Sequence, residues 1–398
     1  MKKVVLSVFT GVFFCFASHA ELFDANRKSS FIEISNMYGT VLNTNDYVRN
    51  IPYYDAFSVR FAHEANGKSW KDFAFNMPNV GVGFYMPVFA NNPGLGKPFA
   101  IYLFSGKTLA QFTDKLGLAT EISVGLSMNW NAFDPIKNPE NIYIGSRNNV
   151  YAGWKVYLEY FLHDCLDLKL GIHLDHFSNG TTRKPNSGVN MVGIGLSLAY
   201  HINPPQKGFE LRNTFWTPPE FIRHIEHDLQ FIFSSRQLEF PTAITKLPLP
   251  YVDKNFIVLG LAYSPLISNG YRFKWGPSFH FTYDESSGTT AWGEQHPVTE
   301  KWSEHVALAD FSDRLSFGIA LRGEINILPV ASVFAVVGYN VYNKHHYDKS
   351  LFQTIGIKIL PKNNFSFAFG VNANDFCNAR FLHWSFGFTF GGKKDKTG

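Results

Sequence analysis

Apolar and polar residues alternate along most of this chain. Alternation at period two is the mark of a β-strand with one face in an apolar phase. Such segments recur near 30–42, 55–66, 79–90, 97–112, 116–131, 148–164, 166–179 and 190–203. They continue near 227–239, 255–264, 272–284, 312–327, 330–342, 350–360, 363–374 and 379–390. Each is long enough to cross a bilayer when tilted. The pattern predicts an all-β fold: a transmembrane, antiparallel, up-and-down β-barrel of about 12–16 strands. The last segment places Trp384, Phe386, Phe388 and Phe390 at every other position. That resembles the terminal signal that outer-membrane barrels show to their insertion machinery, an expected partner.

Connections give the orientation. Bacterial barrels have short periplasmic turns and longer outer loops. Tight turns at 164–166, 328–330 and 361–364, and longer connections at 132–148, 240–254 and 284–311, fit a first strand that runs outward. The 264–272 and 204–226 stretches do not fit. The latter carries Pro204-Pro205 and Pro218-Pro219 and reads as a periplasmic excursion with a short helix. By this count, segment 166–179 is the seventh strand, and the loop after it lies outside the cell.

The N-terminus adds an address. Met1-Lys2-Lys3 is basic, Val4 to Ala17 is apolar, and Ser18-His19-Ala20 offers small residues at a cleavage site. Residues 1–20 are therefore expected to be a signal peptide, and 21–398 the barrel of a Gram-negative outer membrane. Aromatic residues make up 17% of the chain, with 40 Phe, 18 Tyr and 8 Trp, while mean hydropathy is only −0.10. After the signal, no run of 18 apolar residues would form a spanning helix. A net charge of +4, scattered along the chain, gives no nucleic-acid footprint. Of three cysteines, Cys15 leaves with the signal, and Cys165 and Cys377 are expected to be unpaired thiols. His224 and His227 have helix-face spacing but lack companions for a metal, as does His345-His346, so neither pair is assigned one.

Chemistry concentrates in 171–180, Gly-Ile-His-Leu-Asp-His-Phe-Ser-Asn-Gly. On a strand, Ile172, Leu174, His176 and Ser178 share one face, with alternate Cα atoms about 6.6 Å apart. An imidazole nitrogen of His176 can then reach the Ser178 hydroxyl. If 166–203 is a hairpin, Asn190 comes beside them, followed by the apolar set Val192, Ile194, Leu196 and Leu198. The result is a Ser–His–Asn constellation, an arrangement able to hydrolyse an ester. The Asn179 or Gly180 backbone N–H, or the Asn186 amide, could bind the oxyanion. Arg183 and Lys184 could meet lipid phosphates. The plainer reading is that His and Ser sit at the membrane interface. Their place on the apolar face, where polar groups are costly in lipid, favours chemistry.

The run His176-Phe177-Ser178-Asn179-Gly180, then Pro185-Asn186-Ser187-Gly188-Val189-Asn190 and an alternating strand, resembles the active-site hairpin of PagL-type lipid A 3-O-deacylases. The resemblance covers about thirty residues. It implies an outer-membrane barrel acting on lipid A of lipopolysaccharide. It also implies His176 as base, Ser178 as nucleophile, and Asn179 and Asn186 as oxyanion or positioning residues, with no cofactor. The simplest such enzymes have Glu where this chain has Asn190, and the chain is about twice their length. The same five residues also resemble outer-membrane phospholipase A. That family has an acidic, calcium-linked loop, whereas this loop reads Arg183-Lys184-Pro185-Asn186, which favours the deacylase. A porin-like or inactive barrel is the non-enzymatic alternative.

Overall fold

The computed structural model describes residues 29–42, 51–65, 69–91, 93–202, 218–344, 350–361, 364–376 and 378–392. The expected signal peptide, His345-His346, Cys377 and residues 204–217 of the expected excursion lie outside these residues. Eight strands come first: β1 (Ser29–Leu42), β2 (Tyr54–Glu64), β3 (Asn79–Phe89), β4 (Gly96–Gln111), β5 (Leu116–Trp130), β6 (Asn149–His163), β7 (Leu166–Ser178) and β8 (Val189–His201). Then follow β9 (His224–Arg236), β10 (Phe256–Ser268), β11 (Phe273–Asp284), β12 (Thr290–Gln295) and β13 (Trp302–Ala307). The chain ends with β14 (Leu315–Leu328), β15 (Ala331–Asn343), β16 (Leu351–Ile359), β17 (Phe365–Asn374) and β18 (Asn378–Phe390).

The all-β, antiparallel barrel stands, and each of the sixteen alternating segments is a barrel strand. They do not close into one ring. β1–β8 form one closed barrel, and β9–β11 with β14–β18 form a second. β1 pairs with β8 from Phe31↔His201 to Leu42↔Asn190. β9 pairs with β18 from Phe233↔Trp384 to His227↔Phe390. Alternation marks each strand, but it carries no information on whether β8 meets β9 or returns to β1. β12 and β13 form a separate hairpin within the connection read above as a plain loop. The expected helix near His224 and His227 is absent among the described residues. Both histidines lie on β9, a strand, so their helix-face spacing has no structural meaning.

Side chains inside decide the closure. In β1, Ile32, Ile34 and Tyr38 point outward, while Glu33, Ser35 and Met37 are buried in the lumen. Arg60 of β2 binds both Glu33 and Glu121 of β5. Lys169 of β7 reaches Glu33 at 3.2 Å and Glu159 at 3.0 Å. Ser197 of β8 donates to Ser35 of β1 at 2.8 Å. The Arg60–Glu121 and Lys169–Glu33 bridges link strands that are not neighbours, and the Ser197–Ser35 bond sits on the β1–β8 seam itself. In the second barrel, Asp228 of β9 takes Arg322 of β14 and Lys358 of β16, each at 2.9 Å. Thr389 of β18 also donates to Asp228, at 2.8 Å, beside the closing seam.

Above these charges the first lumen is packed with aromatic rings. Tyr85, Tyr102, Tyr151, Trp130 and Phe177 form one cluster, with Tyr151 donating to Asp175 at 2.7 Å. An eight-stranded ring is just wide enough for side chains to fill. The porin-like alternative needs a wide lumen, which a single large ring could offer and two eight-stranded rings do not.

Removing the hub of a buried charge network should cost more than removing a surface pair. Arg60→Ala takes the shared guanidinium from two buried carboxylates, leaving Glu33 to Lys169 and Glu121 to the more distant Lys155, and we expect a loss of about 3 kcal/mol. Denaturant unfolding in detergent micelles, read by the heat-modifiable gel mobility of folded barrel, checks this value.

Candidate active site

The outer face of β7 changes character as it approaches the rim. Ile172 and Leu174 are 58% and 40% exposed, as lipid-facing residues should be. The next two positions on the same face are His176 and Ser178. Their inward neighbours Asp175 and Phe177 are buried among the lumen aromatics, which fixes the strand's facing. Register then places Asn190 of β8 directly opposite His176. The expected hairpin and its juxtaposition of the three residues are both present.

His176 Nδ1 lies 2.6 Å from Asn190 Oδ1, and His176 Nε2 lies 3.0 Å from Ser178 Oγ. The Asn190 oxygen can only accept, so Nδ1 carries the proton. Nε2 is then left with its lone pair, and the Ser178 hydroxyl donates to it. The geometry sets the tautomer that a general base needs.

The loop after Ser178 is held from many sides. Asn179 is its hub. Its backbone N–H donates to Asn186 Oδ1 at 3.0 Å. Its Nδ2 donates to Ser146 Oγ at 3.0 Å and to the Arg183 carbonyl at 2.9 Å. Asn179 is buried, and these donors are engaged, so its place is structural rather than open to a ligand. The N–H of Gly180 and the Nδ2 of Asn186 have no hydrogen-bond partner among the described residues. Gly180, Thr181 and Gly188 take left-handed backbone angles, φ +56°, +65° and +74°. The first and third are natural for glycine. At Gly188 the demand is also steric, because a Cβ would lie 3.1 Å from His176 Cε1 and 3.2 Å from the Phe177 carbonyl. The β5–β6 connection straps the loop's far end, where Gly188 N–H donates to the Tyr143 carbonyl at 3.0 Å.

The second barrel holds the same loop. Gln237 N–H donates to the Thr181 carbonyl at 2.8 Å, and Gln237 Oε1 accepts from Lys184 N–H at 2.8 Å. The Thr181 hydroxyl donates to the Arg380 carbonyl. Leu382 sits so close that a Cβ on Gly180 would lie 2.4 Å from its Cδ2. Lys184 Nζ is paired with the exposed Glu239 at 2.9 Å rather than left free for a phosphate. Arg183 instead lines an outer cavity of about 730 Å³ with Lys137, Arg147, Asn148 and Asn255. Sequence reasoning did not find Ser146, Tyr143, Gln237, Arg380 or Leu382, since none lies near the hairpin in the chain. Among the described residues no group of His, Cys, Asp and Glu is arranged to hold a metal, and Cys165 is a free thiol.

Two family profiles match. Lipid A 3-O-deacylase (PagL) matches residues 55–199, and the C-terminal domain of acyloxyacyl hydrolase matches residues 225–393. The first falls on barrel one and the second on barrel two, and together they take in most of the chain. The chain belongs to the PagL family of lipid A deacylases. It is accordingly a carboxylic ester hydrolase acting on lipid A. No curated protein matches it. Among solved structures it is similar to Neisserial surface protein A, at 10% identity and TM-score 0.30, covering 43% of this chain and 96% of that one. It is also similar to the outer membrane enzyme PagL, at 12% identity and TM-score 0.29, covering 42% of this chain and 97% of that one. The PagL profile thus meets the barrel that carries His176, Ser178 and Asn190.

Gly188→Ala tests the packing of this PagL-family site. The added methyl presses on the imidazole from a backbone that alanine resists, and we expect fatty-acid release to fall about 10–100-fold. Heat-modifiable mobility should remain that of folded protein.

Proposed function

We propose that Ser178, His176 and Asn190 are the catalytic triad of this enzyme, and that it cuts the ester at the 3-position of lipid A in the outer leaflet. The observation that carries the reading is the Asn190–His176–Ser178 hydrogen-bonded chain on the lipid-facing surface, at the C-terminal end of β7. Ser178 Oγ attacks the ester carbonyl carbon, and its proton passes to His176 Nε2. Asn190 Oδ1 holds Nδ1–H and steadies the imidazolium that forms. The Gly180 N–H and the Asn186 amide are the donors free to meet the oxyanion. When the tetrahedral adduct collapses, the C–O bond to the sugar breaks and His176 returns the proton to the departing 3-hydroxyl. Water then attacks the acyl-Ser178 ester with His176 again as base. That step frees the fatty acid and restores the serine. Every proton and electron pair is handled by these side chains and water, so the route calls for no cofactor.

Asn in place of an acid changes the electrostatics without removing the function of orientation. A neutral amide gives the imidazolium a dipole instead of a full charge, and Cys–His–Asn proteases operate with the same substitution. Arg183, at the outer cavity beside the loop, is the residue placed to meet a phosphate of the lipid A headgroup. The site's position also fits export. A signal peptide at 1–20 would deliver the chain, and the aromatic terminal strand β18 would present it to the insertion machinery.

Ser178→Ala should give a folded protein whose release of 3-hydroxy fatty acid from lipid A drops about a thousandfold or more. Mass spectrometry of lipid A from cells expressing each variant measures it. Release equal to the unaltered protein would remove Ser178 from the mechanism. Asn186→Ala should retain the triad and lose about a hundredfold, as expected for one oxyanion donor. Cleaved phospholipid with intact lipid A in the same spectra would move the substrate assignment to glycerophospholipid.

A further inference from the structure

The lipid-facing surface beside the triad is not uniform. On the β8 side of Ser178, the His176–Asn190 pair occupies the surface. On the β6 side, Ser178 is opposite Val150 and His176 is opposite Ala152. Both are small and face outward. Across the next ladder, Val150 pairs with Leu126 and Ala152 with Val124 on β5. A shallow trough therefore leads sideways from the nucleophile over β6. One step deeper in the membrane, Trp154 bonds to Thr120 at 2.9 Å and crosses the trough. An apolar chain leaving Ser178 is thereby directed toward β5, two strand spacings or about 10 Å away.

At β5 it meets the second barrel. Ile122 and Val124 line an apolar cavity of about 180 Å³ whose opposite wall includes Phe233, Trp384 and Phe386. Trp384 is only 9% exposed, although it lies on the lipid-facing side of β18, because this face looks at the other barrel. The wall is stiff: Phe369 lies against Trp384 at 4.3 Å, and Phe386 stacks on Phe231 at 5.7 Å. Leu382, Trp384 and Phe386 alternate along one face of β18. The first presses on Gly180 of the catalytic loop, and the next two line the cavity. Site and cleft are thus continuous along both barrels.

We infer that this inter-barrel cleft is the binding groove for the hydrocarbon chain of the ester being cut, and that the second barrel supplies the wall that measures it. The inference rests on the triad proposed above, since a chain attached to the scissile carbonyl must start at Ser178 and stay in an apolar phase. The β8 side is blocked by polar groups and the β6 side leads into the cleft. The expected consequence is a dependence on acyl length set by residues of a barrel that holds no member of the triad.

The test uses the full-length protein in mixed micelles with lipid A analogues that carry either a short or a long 3-O-acyl chain. Val124→Trp fills the cleft from the first barrel and should lower the long-to-short ratio of kcat/KM about tenfold. Trp384→Ala widens it and should raise that ratio. Ile34→Trp, on the lipid-facing surface of β1 away from the cleft, is the control and should leave the ratio as it is. An unchanged ratio in Val124→Trp, with release still lost in Ser178→Ala, would overturn the groove while leaving the triad standing. Release undiminished in Ser178→Ala would instead overturn the triad, and the groove with it. If Trp384→Ala fails to fold, the Val124→Trp ratio alone decides.

Discussion

A strand in a bilayer has no water to pair its backbone, so every N–H and C=O must find a neighbouring strand. An open edge in lipid is untenable, and each sheet must close. This protein meets the requirement twice over, with rings closed by β1–β8 and by β9–β18. Eight strands make the narrowest of rings, and its lumen must be filled. Part of the filling is polar and tightly paired: Arg60 between Glu33 and Glu121 in one barrel, and Asp228 between Arg322 and Lys358 in the other. Closure and filling support each other, because the same charges that occupy the lumen tie the closing strands together.

With the lumens filled, the surface left for chemistry is the outside. That is an unusual place for three polar side chains, since lipid penalises each one that lacks a partner. His176, Ser178 and Asn190 satisfy one another there, near the rim where β7 ends. The arrangement suits a substrate that never leaves the membrane. A lipid can slide along the barrel wall, present its ester at the rim, and keep its hydrocarbon in the apolar phase throughout.

Two closed rings also create what one ring cannot, a cleft between convex walls. The loop after Ser178 bridges that cleft at its outer end, held by Gln237, Arg380 and Leu382 of the second barrel. The second barrel thus fixes the surroundings of Ser178 while contributing none of the three residues proposed as the triad. A single-barrel relative would have to brace this loop from its own rim.

The sequence by itself determined what is local. Period-two alternation defined all sixteen barrel strands, since each strand's faces depend only on its own residues. The His176–Ser178 pair was legible for the same reason, being two apart on one face. Asn190 followed from the hairpin, whose register is set by adjacent strands. Tertiary structure alone decided which strand closes on which. That choice depends on side chains meeting across a lumen, such as Glu33 with Lys169, which lie far apart in the chain. It also decided that Asn179 anchors the loop, that Lys184 pairs with Glu239, and that residues 237 and 382 press on a loop near 180. Contacts of that range leave no periodic trace, because nothing in either partner's neighbours announces the other.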